Sequence, residues 1–144
     1  MTLYAESSAV LRWLFGEPLG DEVLALLRGA TKVVCSRLTL IECRRVAQRA
    51  VLQQGAIEAE VTDLLASLAQ AAARWAILEL YREIADRAEQ RFPLEPVRTL
   101  DALHLASAMV LRASLPDLTF LSTDERVRAN AAALGFPVVP TRRV

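Results

Sequence analysis

Short apolar stretches alternate along this chain with longer segments in which apolar residues recur at helical spacing. The predicted strands are Thr2–Ala5, Lys32–Cys35, Trp75–Leu78, Leu118–Leu121 and Phe136–Pro140, and the prolines of the last stretch place it at a sheet edge. Helices are predicted at Ala9–Phe15, Asp21–Leu27, Ser36–Val51, Ala56–Ala73, Tyr81–Arg91, Arg98–Met109 and Arg126–Leu134. This alternation predicts an α/β fold with a central parallel sheet of about five short strands flanked by helices, in a single domain over residues 1–144.

The segment Arg98–Met109 has almost no polar face, so its helix is expected inside the protein. Thr99 is the predicted N-cap, which leaves the acid Asp101 in the first helical turn. An ionised carboxylate among apolar side chains is costly unless something neutralises it, and Arg98 lies before the cap. Two interpretations stand: a cation from elsewhere neutralises Asp101, or Asp101 complements the positive end of the helix dipole.

The helix predicted at Ser36–Val51 carries a second notable acid, Glu42. If the helix begins at Thr39, Glu42 is its capping-box partner, which bonds back to the backbone of the cap. If it begins nearer Ser36, Glu42 lies in the second turn and faces another group. Arg44 and Arg45, with Arg49 further along, form either a phosphate-binding patch or an ordinary solvated helix face.

Composition narrows the classes of protein that this chain represents. Seventeen basic and seventeen acidic residues cancel, so any binding of nucleic acid must rely on a local patch. The apolar fraction of 53% is high and mostly aliphatic, which predicts an apolar protein interface. Without a membrane span or an N-terminal signal pattern, we expect a cytoplasmic protein, in which Cys35 and Cys43 are core thiols.

Acidic residues recur at the ends of predicted strands and at the starts of predicted helices. Glu6 and Asp124 follow apolar strands directly, with Ser7 as the predicted cap of the first helix, and Glu42 and Asp101 lie in early helical turns. Because the carboxyl ends of parallel strands share one edge of a sheet, these four carboxylates are expected in one crevice. Their mutual repulsion favours a hard divalent cation, Mg²⁺ or Mn²⁺, that activates water for attack on a phosphodiester.

Several segments together resemble a known family. They are Leu3–Ala9, Ser36–Glu42, Arg98–Ala106, Phe120–Asp124, Ala131-Ala132 and Gly135-Phe136, and the stretch Thr99–Ala106 is the most specific. The chain resembles the PIN-domain ribonucleases and, within them, the VapC-type toxins of toxin–antitoxin pairs. The resemblance implies an endoribonuclease that depends on Mg²⁺ or Mn²⁺, forms a homodimer, and is held inactive by an antitoxin whose tail occludes the site.

The same resemblance assigns roles by position. It implies an acidic site of Glu6, Glu42, Asp101 and Asp124, of which Glu6, Asp101 and Asp124 would hold the metal, with Ser7 and Ser122 as supporting hydroxyls. Independently of the resemblance, the arginine cluster on the helix that carries Glu42 makes Arg44 and Arg45 the candidate substrate-binding residues.

One departure from the family is Glu6, because the first acid there is normally aspartate. The added methylene moves the carboxylate by about 1.5 Å, and a misplacement of that order can cost about a hundredfold in rate. A PIN fold that binds RNA or a protein without cutting is therefore the alternative. A second enzyme interpretation is a phosphatase or nuclease of another acidic α/β family. It is disfavoured because this chain has no lysine near the acids to bind the phosphate: its single lysine, Lys32, begins a strand at the far end. His104 is predicted to be a satisfied core histidine, with a general base as the competing role.

Overall fold

The computed structural model describes residues 1–142 and contains one five-stranded sheet in that part of the chain. Its strands are β1 (Thr2–Ala5), β2 (Lys32–Ser36), β3 (Ala76–Leu78), β4 (Leu118–Leu121) and β5 (Val138–Val139). Their order is β3-β2-β1-β4-β5, and every pairing is parallel. The predicted sheet is confirmed, with the proline-flanked β5 at one edge.

Seven helices flank the sheet within residues 1–142. They are α1 (Ser7–Leu14), α2 (Gly20–Gly29), α3 (Arg37–Gln54), α4 (Glu58–Ala72), α5 (Arg82–Ala88), α6 (Thr99–Arg112) and α7 (Glu125–Ala133). None of these helices has both the length and the apolar character needed to cross a bilayer.

Strand β1 is the centre of the fold because both of its faces are buried. Leu3 and Ala5 pack on one face against α1 to α4, whereas Tyr4 packs on the other face with the core formed by α5, α6 and α7. Residues that alternate along a strand point to opposite faces, so three of the four residues of β1 contribute to two apolar cores. Cys35 and Cys43 are buried free thiols, and burial raises the pKa of each to about 12, as expected for core cysteines.

The N-caps of three helices decide between sequence predictions or contradict them. Helix α1 is capped by Glu6, whose carboxylate accepts from the backbone of Ser8, so Ser7 is not the cap. Helix α6 has Arg98 as its N-cap, without a side-chain bond, so the prediction of Thr99 is also wrong. Helix α3 is capped by Ser36, which removes the capping-box interpretation of Glu42.

Helix α6 is less completely enclosed than its apolar sequence predicts. Its inner side is buried from Ala102 through Ala108 except at Leu103, which is partly buried, but Leu100 is exposed. The exposed first turn places Asp101 at the boundary between core and solvent.

Candidate active site

The site lies where β1 and β4 end side by side. Ala5 is in register with Leu121, and the next residue, Glu6, donates its backbone N–H to the Leu121 carbonyl at 3.0 Å. The strand order reverses at this pair, because β2 and β3 lie on one side of β1 and β4 and β5 lie on the other. Ligand sites in open α/β sheets form at such switch points, outside the carboxyl ends of the strands.

Glu6 is a buried carboxylate, only 3% exposed, whose oxygens accept four hydrogen bonds. Oε1 accepts from the Ser7 hydroxyl at 2.8 Å and from the Ser8 backbone at 3.1 Å. Oε2 accepts from the Ser122 hydroxyl at 2.8 Å and also from the Ser8 hydroxyl. A carboxylate has about four acceptor positions, so Glu6 has none to spare in this arrangement.

Ser8 is the supporting residue that the sequence analysis missed. Besides its bond to Glu6, its Oγ accepts from the backbone N–H of Thr123 at 2.9 Å and of Asp124 at 3.2 Å, and it lies 3.2 Å from Ser122 Oγ. It therefore ties the start of α1 to the loop after β4. The spacing Glu6-x-Ser8 at a strand end was the available signal, because a serine two residues after an N-cap faces back toward the cap.

Asp124 lies at the mouth of the site and caps α7. Its Oδ1 accepts from the backbone of Arg126 at 2.9 Å and of Val127 at 3.1 Å. Its Oδ2 makes no hydrogen bond within residues 1–142 and is therefore available to a ligand. Ser122, fully buried, donates to Glu6 and accepts from the Asp124 backbone at 3.1 Å.

Asp101 carries the least compensated negative charge of the group. In the described part of the chain it has neither a hydrogen bond nor a cation within 4.0 Å. Burial raises the pKa of Asp101, and the charges of Asp124, Glu6 and Glu42 raise it further, against a smaller lowering by His104. Asp101 is thus close enough to the other three predicted acids for their negative charges to act on it, although the start of α6 favours a negative charge there.

The Glu42 carboxylate is hydrogen-bonded to a buried histidine. His104 is 0% exposed; its Nε2 lies 2.5 Å from Glu42 Oε1 and its Nδ1 lies 2.8 Å from the Tyr4 hydroxyl. Burial acts to lower the pKa of His104, but the bond to Glu42 and the charges of Glu6, Glu42 and Asp101 outweigh it and raise the pKa. His104 is a satisfied core residue, as predicted, and it also orients Glu42.

The donor set fits a hard divalent cation in its chemistry. No three His, Cys, Asp or Glu side chains within residues 1–142 form a ready-made metal cage. Asp101 and Asp124 nevertheless offer free carboxylate oxygens, and Mg²⁺ is commonly bound through one or two carboxylates, with waters and substrate phosphate completing its shell. Direct contact with Glu6 requires that the Ser8 or Ser122 hydroxyl turns away.

Two recesses adjoin the acids. A groove of about 490 Å³ opens beside Ser8 and Asp124, and a small hollow beside Asp101 is lined by Arg98 and Arg126. The predicted substrate-binding residues lie elsewhere on the surface: Arg44 and Arg45 are exposed on α3 and line neither recess.

The comparison with protein families decides the assignment. A family model for the PIN domain matches residues 3–134. The chain belongs to the PIN-domain family. It is 31% identical over 137 residues to Ribonuclease VapC46 from Mycobacterium tuberculosis, a match that covers 95% of each protein. The resemblance predicted from sequence is confirmed by these two matches.

Solved structures agree with the PIN fold. The chain superposes on a toxin–antitoxin complex from Klebsiella pneumoniae with a TM-score of 0.64 and 19% identity, covering 100% of both chains. It superposes equally well on the structure of FitAB bound to an IR36 DNA fragment, with a TM-score of 0.64, 18% identity and coverage of 96% and 94%. At these identities the likeness concerns the fold.

Proposed function

We propose that this PIN-domain protein is a metal-dependent endoribonuclease and acts as the toxin of a toxin–antitoxin pair. The observation that carries the proposal is that half-buried Asp101 has no hydrogen-bond or ion-pair partner in residues 1–142, while the charges of Asp124, Glu6 and Glu42 act on it. Repelling carboxylates are tolerated where a divalent cation neutralises them. The 31% identical relative, Ribonuclease VapC46, supports RNA as the substrate class.

Asp101 and Asp124 are proposed as the principal metal ligands, and Glu6 joins them when a serine hydroxyl releases one of its oxygens. When bound, Mg²⁺ or Mn²⁺ supplies an activated water and neutralises charge that develops on the phosphate. Ser7, Ser8 and Ser122 hold the Glu6 carboxylate in place and keep the ends of β1 and β4 together.

Glu42 is proposed to accept a proton from the attacking water at Oε2. Its other oxygen, Oε1, is engaged by His104, while Oε2 makes no hydrogen bond within the described residues. The imidazole is fixed in turn by Tyr4, so the carboxylate has little rotational freedom.

Cationic side chains near the acids are proposed to bind the substrate phosphates. Arg98 and Arg126 line the hollow that contains Asp101, which places guanidinium groups beside the reacting centre. Arg44 and Arg45, exposed on the helix that carries Glu42, are proposed to contact the RNA further from the scissile bond.

The test is cleavage of structured RNA with Mg²⁺ or Mn²⁺ and with a chelator. We expect cleavage by the wild type with metal, background cleavage with chelator, and background cleavage by Asp101→Asn. Asp63→Asn is the matched control, because it makes the same change at an exposed position on α4 and should retain full activity. Full activity of Asp101→Asn would refute the proposed mechanism.

The saturated environment of Glu6 favours one alternative function. If no acceptor position at Glu6 can be released, the protein binds RNA or a protein partner without cutting it. Metal-independent RNA binding by the wild type, with no cleavage under any metal condition, would establish that alternative.

The proposed biological setting follows from the relatives. We propose a cognate antitoxin as partner, a homodimer as the working assembly and the cytoplasm as the site of action. An antitoxin encoded next to this protein should co-purify with it and suppress cleavage, and the purified protein should sediment at twice its monomer mass. A monomer at micromolar concentration would contradict the dimer.

A further inference from the structure

A second groove lies at the opposite end of the sheet from the acids. It has a volume of about 620 Å³ and is bounded by α2, by α4 and by the residues that lead into β2. Lys32 is the first residue of β2, whereas the acids follow the carboxyl ends of β1 and β4, so the two regions are separated by the length of the strands.

The groove is positively charged without an opposing acid. Arg28, Lys32 and Arg74 line it and are exposed, and among the described residues no aspartate or glutamate lines it. None of the three cations has an ion-pair partner within 4.0 Å in residues 1–142. The formal net charge of the chain is zero, so this is a local concentration of positive charge.

Both tryptophans of the chain line the same groove. Trp13 and Trp75 are partly buried and pack against the apolar core below, which fixes them while part of each stays accessible. Proteins bind single-stranded nucleic acid with this combination: cations contact the phosphates and an aromatic ring stacks on a base.

We propose that this groove binds a single-stranded segment of RNA, with Arg28, Lys32 and Arg74 on the phosphates and the indole of Trp13 or Trp75 against a base. Its position makes it a site separate from the acidic centre, and its occupancy requires neither metal nor cleavage. An acidic peptide is the competing ligand, but it would use only the cations and gain little from the two indoles.

The tryptophans also provide the assay, since the only two in the chain report on this groove. A short oligouridylate is titrated into Asp101→Asn protein in chelator, and tryptophan fluorescence is recorded. These conditions exclude cleavage, so the result is independent of whether the proposed nuclease activity exists. We expect saturable quenching, because a base stacked on an indole quenches its emission.

The salt dependence of the RNA affinity reports how many phosphates the protein contacts. Three contacts give a slope of log affinity against log salt of about −2, and the pair Lys32→Ala with Arg74→Ala should reduce it to about −0.7 and weaken binding at least about tenfold. Arg82→Ala with Arg91→Ala is the matched control, because it removes two exposed cations that do not line this groove, and it should leave the quenching curve unchanged.

Three results would overturn the proposal. They are an absence of quenching, the same affinity and slope in the Lys32/Arg74 variant, and quenching by polyglutamate that matches the effect of the oligonucleotide. Thermal melting of each variant identifies any that fail to fold, and a Trp13→Phe variant then shows whether Trp75 alone reports the binding.

Discussion

Neutralising Glu6 and neutralising Asp101 are expected to change the thermal stability of the metal-free protein in opposite directions. Glu6 is buried and its charge is compensated by four donors. Asp101 is partly buried, has no donor within residues 1–142 and is repelled by neighbouring carboxylates, which together with burial raise its pKa. The two substitutions are therefore a direct test of the electrostatic description of the site.

For Glu6→Gln, the amide nitrogen replaces the oxygen that accepts from two hydroxyl groups. Exchanging two charge-assisted hydrogen bonds for neutral ones costs about 1 kcal/mol each, so we expect a loss of about 2 kcal/mol in the free energy of unfolding. For a chain of this size that is a fall of about 8 °C in Tm.

For Asp101→Asn, two effects compete. Relief of repulsion from three partly screened carboxylates raises the free energy of unfolding by up to about 1 kcal/mol. Loss of the favourable helix-dipole interaction lowers it by about half of that amount. The net effect is a rise of about 2 °C in Tm. Glu83→Gln is the control, because Glu83 is a first-turn acid of α5 on an exposed surface and feels the helix dipole without such crowding. It should lower Tm slightly.

The assay is thermal melting in chelator and then in millimolar Mg²⁺. With Mg²⁺ the wild type should gain stability by mass action, and Asp101→Asn should lose that gain. A fall in Tm for Asp101→Asn equal to that for Glu83→Gln would show that Asp101 serves only the helix dipole, and the description of a crowded acidic site would be wrong.

Three further outcomes are expected. Glu6→Asp should raise metal-dependent RNA cleavage or leave it unchanged, since aspartate is also a good N-cap; a large loss would show that the longer arm is required. The raised pKa of His104 means that its protonation stabilises the fold fully below pH 6.5 and that this contribution disappears as pH rises through the raised pKa. Unfolding titrations should show that loss, and Glu42→Gln should shrink it; an unchanged pH profile would contradict the His104–Glu42 pairing. Gly20→Ala should cost about 2 kcal/mol or more in chemical denaturation, because a Cβ there overlaps the backbone carbonyl of Arg12, and a neutral result would argue against this packing of α1 on α2.

The sequence predicts the sheet well because each strand has a short apolar signature bounded by polar residues. Parallel order follows from the helices between strands, and the carboxyl-edge position of Glu6 and Asp124 follows from the parallel order. Those steps depend only on local pattern and connectivity.

Local sequence patterns do not show where the helices start or which residues the acids contact, because both depend on contacts between distant parts of the chain. Ser36 rather than Thr39 caps α3 because the Thr39 hydroxyl donates to the Ala5 carbonyl, on a strand that is distant in sequence. Glutamate is a rare cap, so the sequence pattern favours Ser7 over Glu6. The bond from His104 to Glu42 spans 62 residues and required the folded chain.

Glu6 and Asp124 each begin a helix with the carboxylate that the proposed chemistry needs. A substitution that removes the proposed activity at either position also removes a helix cap. In a cell, such a variant would therefore be less abundant as well as inactive. Asp101 makes no side-chain cap, and an inactive form of full abundance is therefore best obtained there.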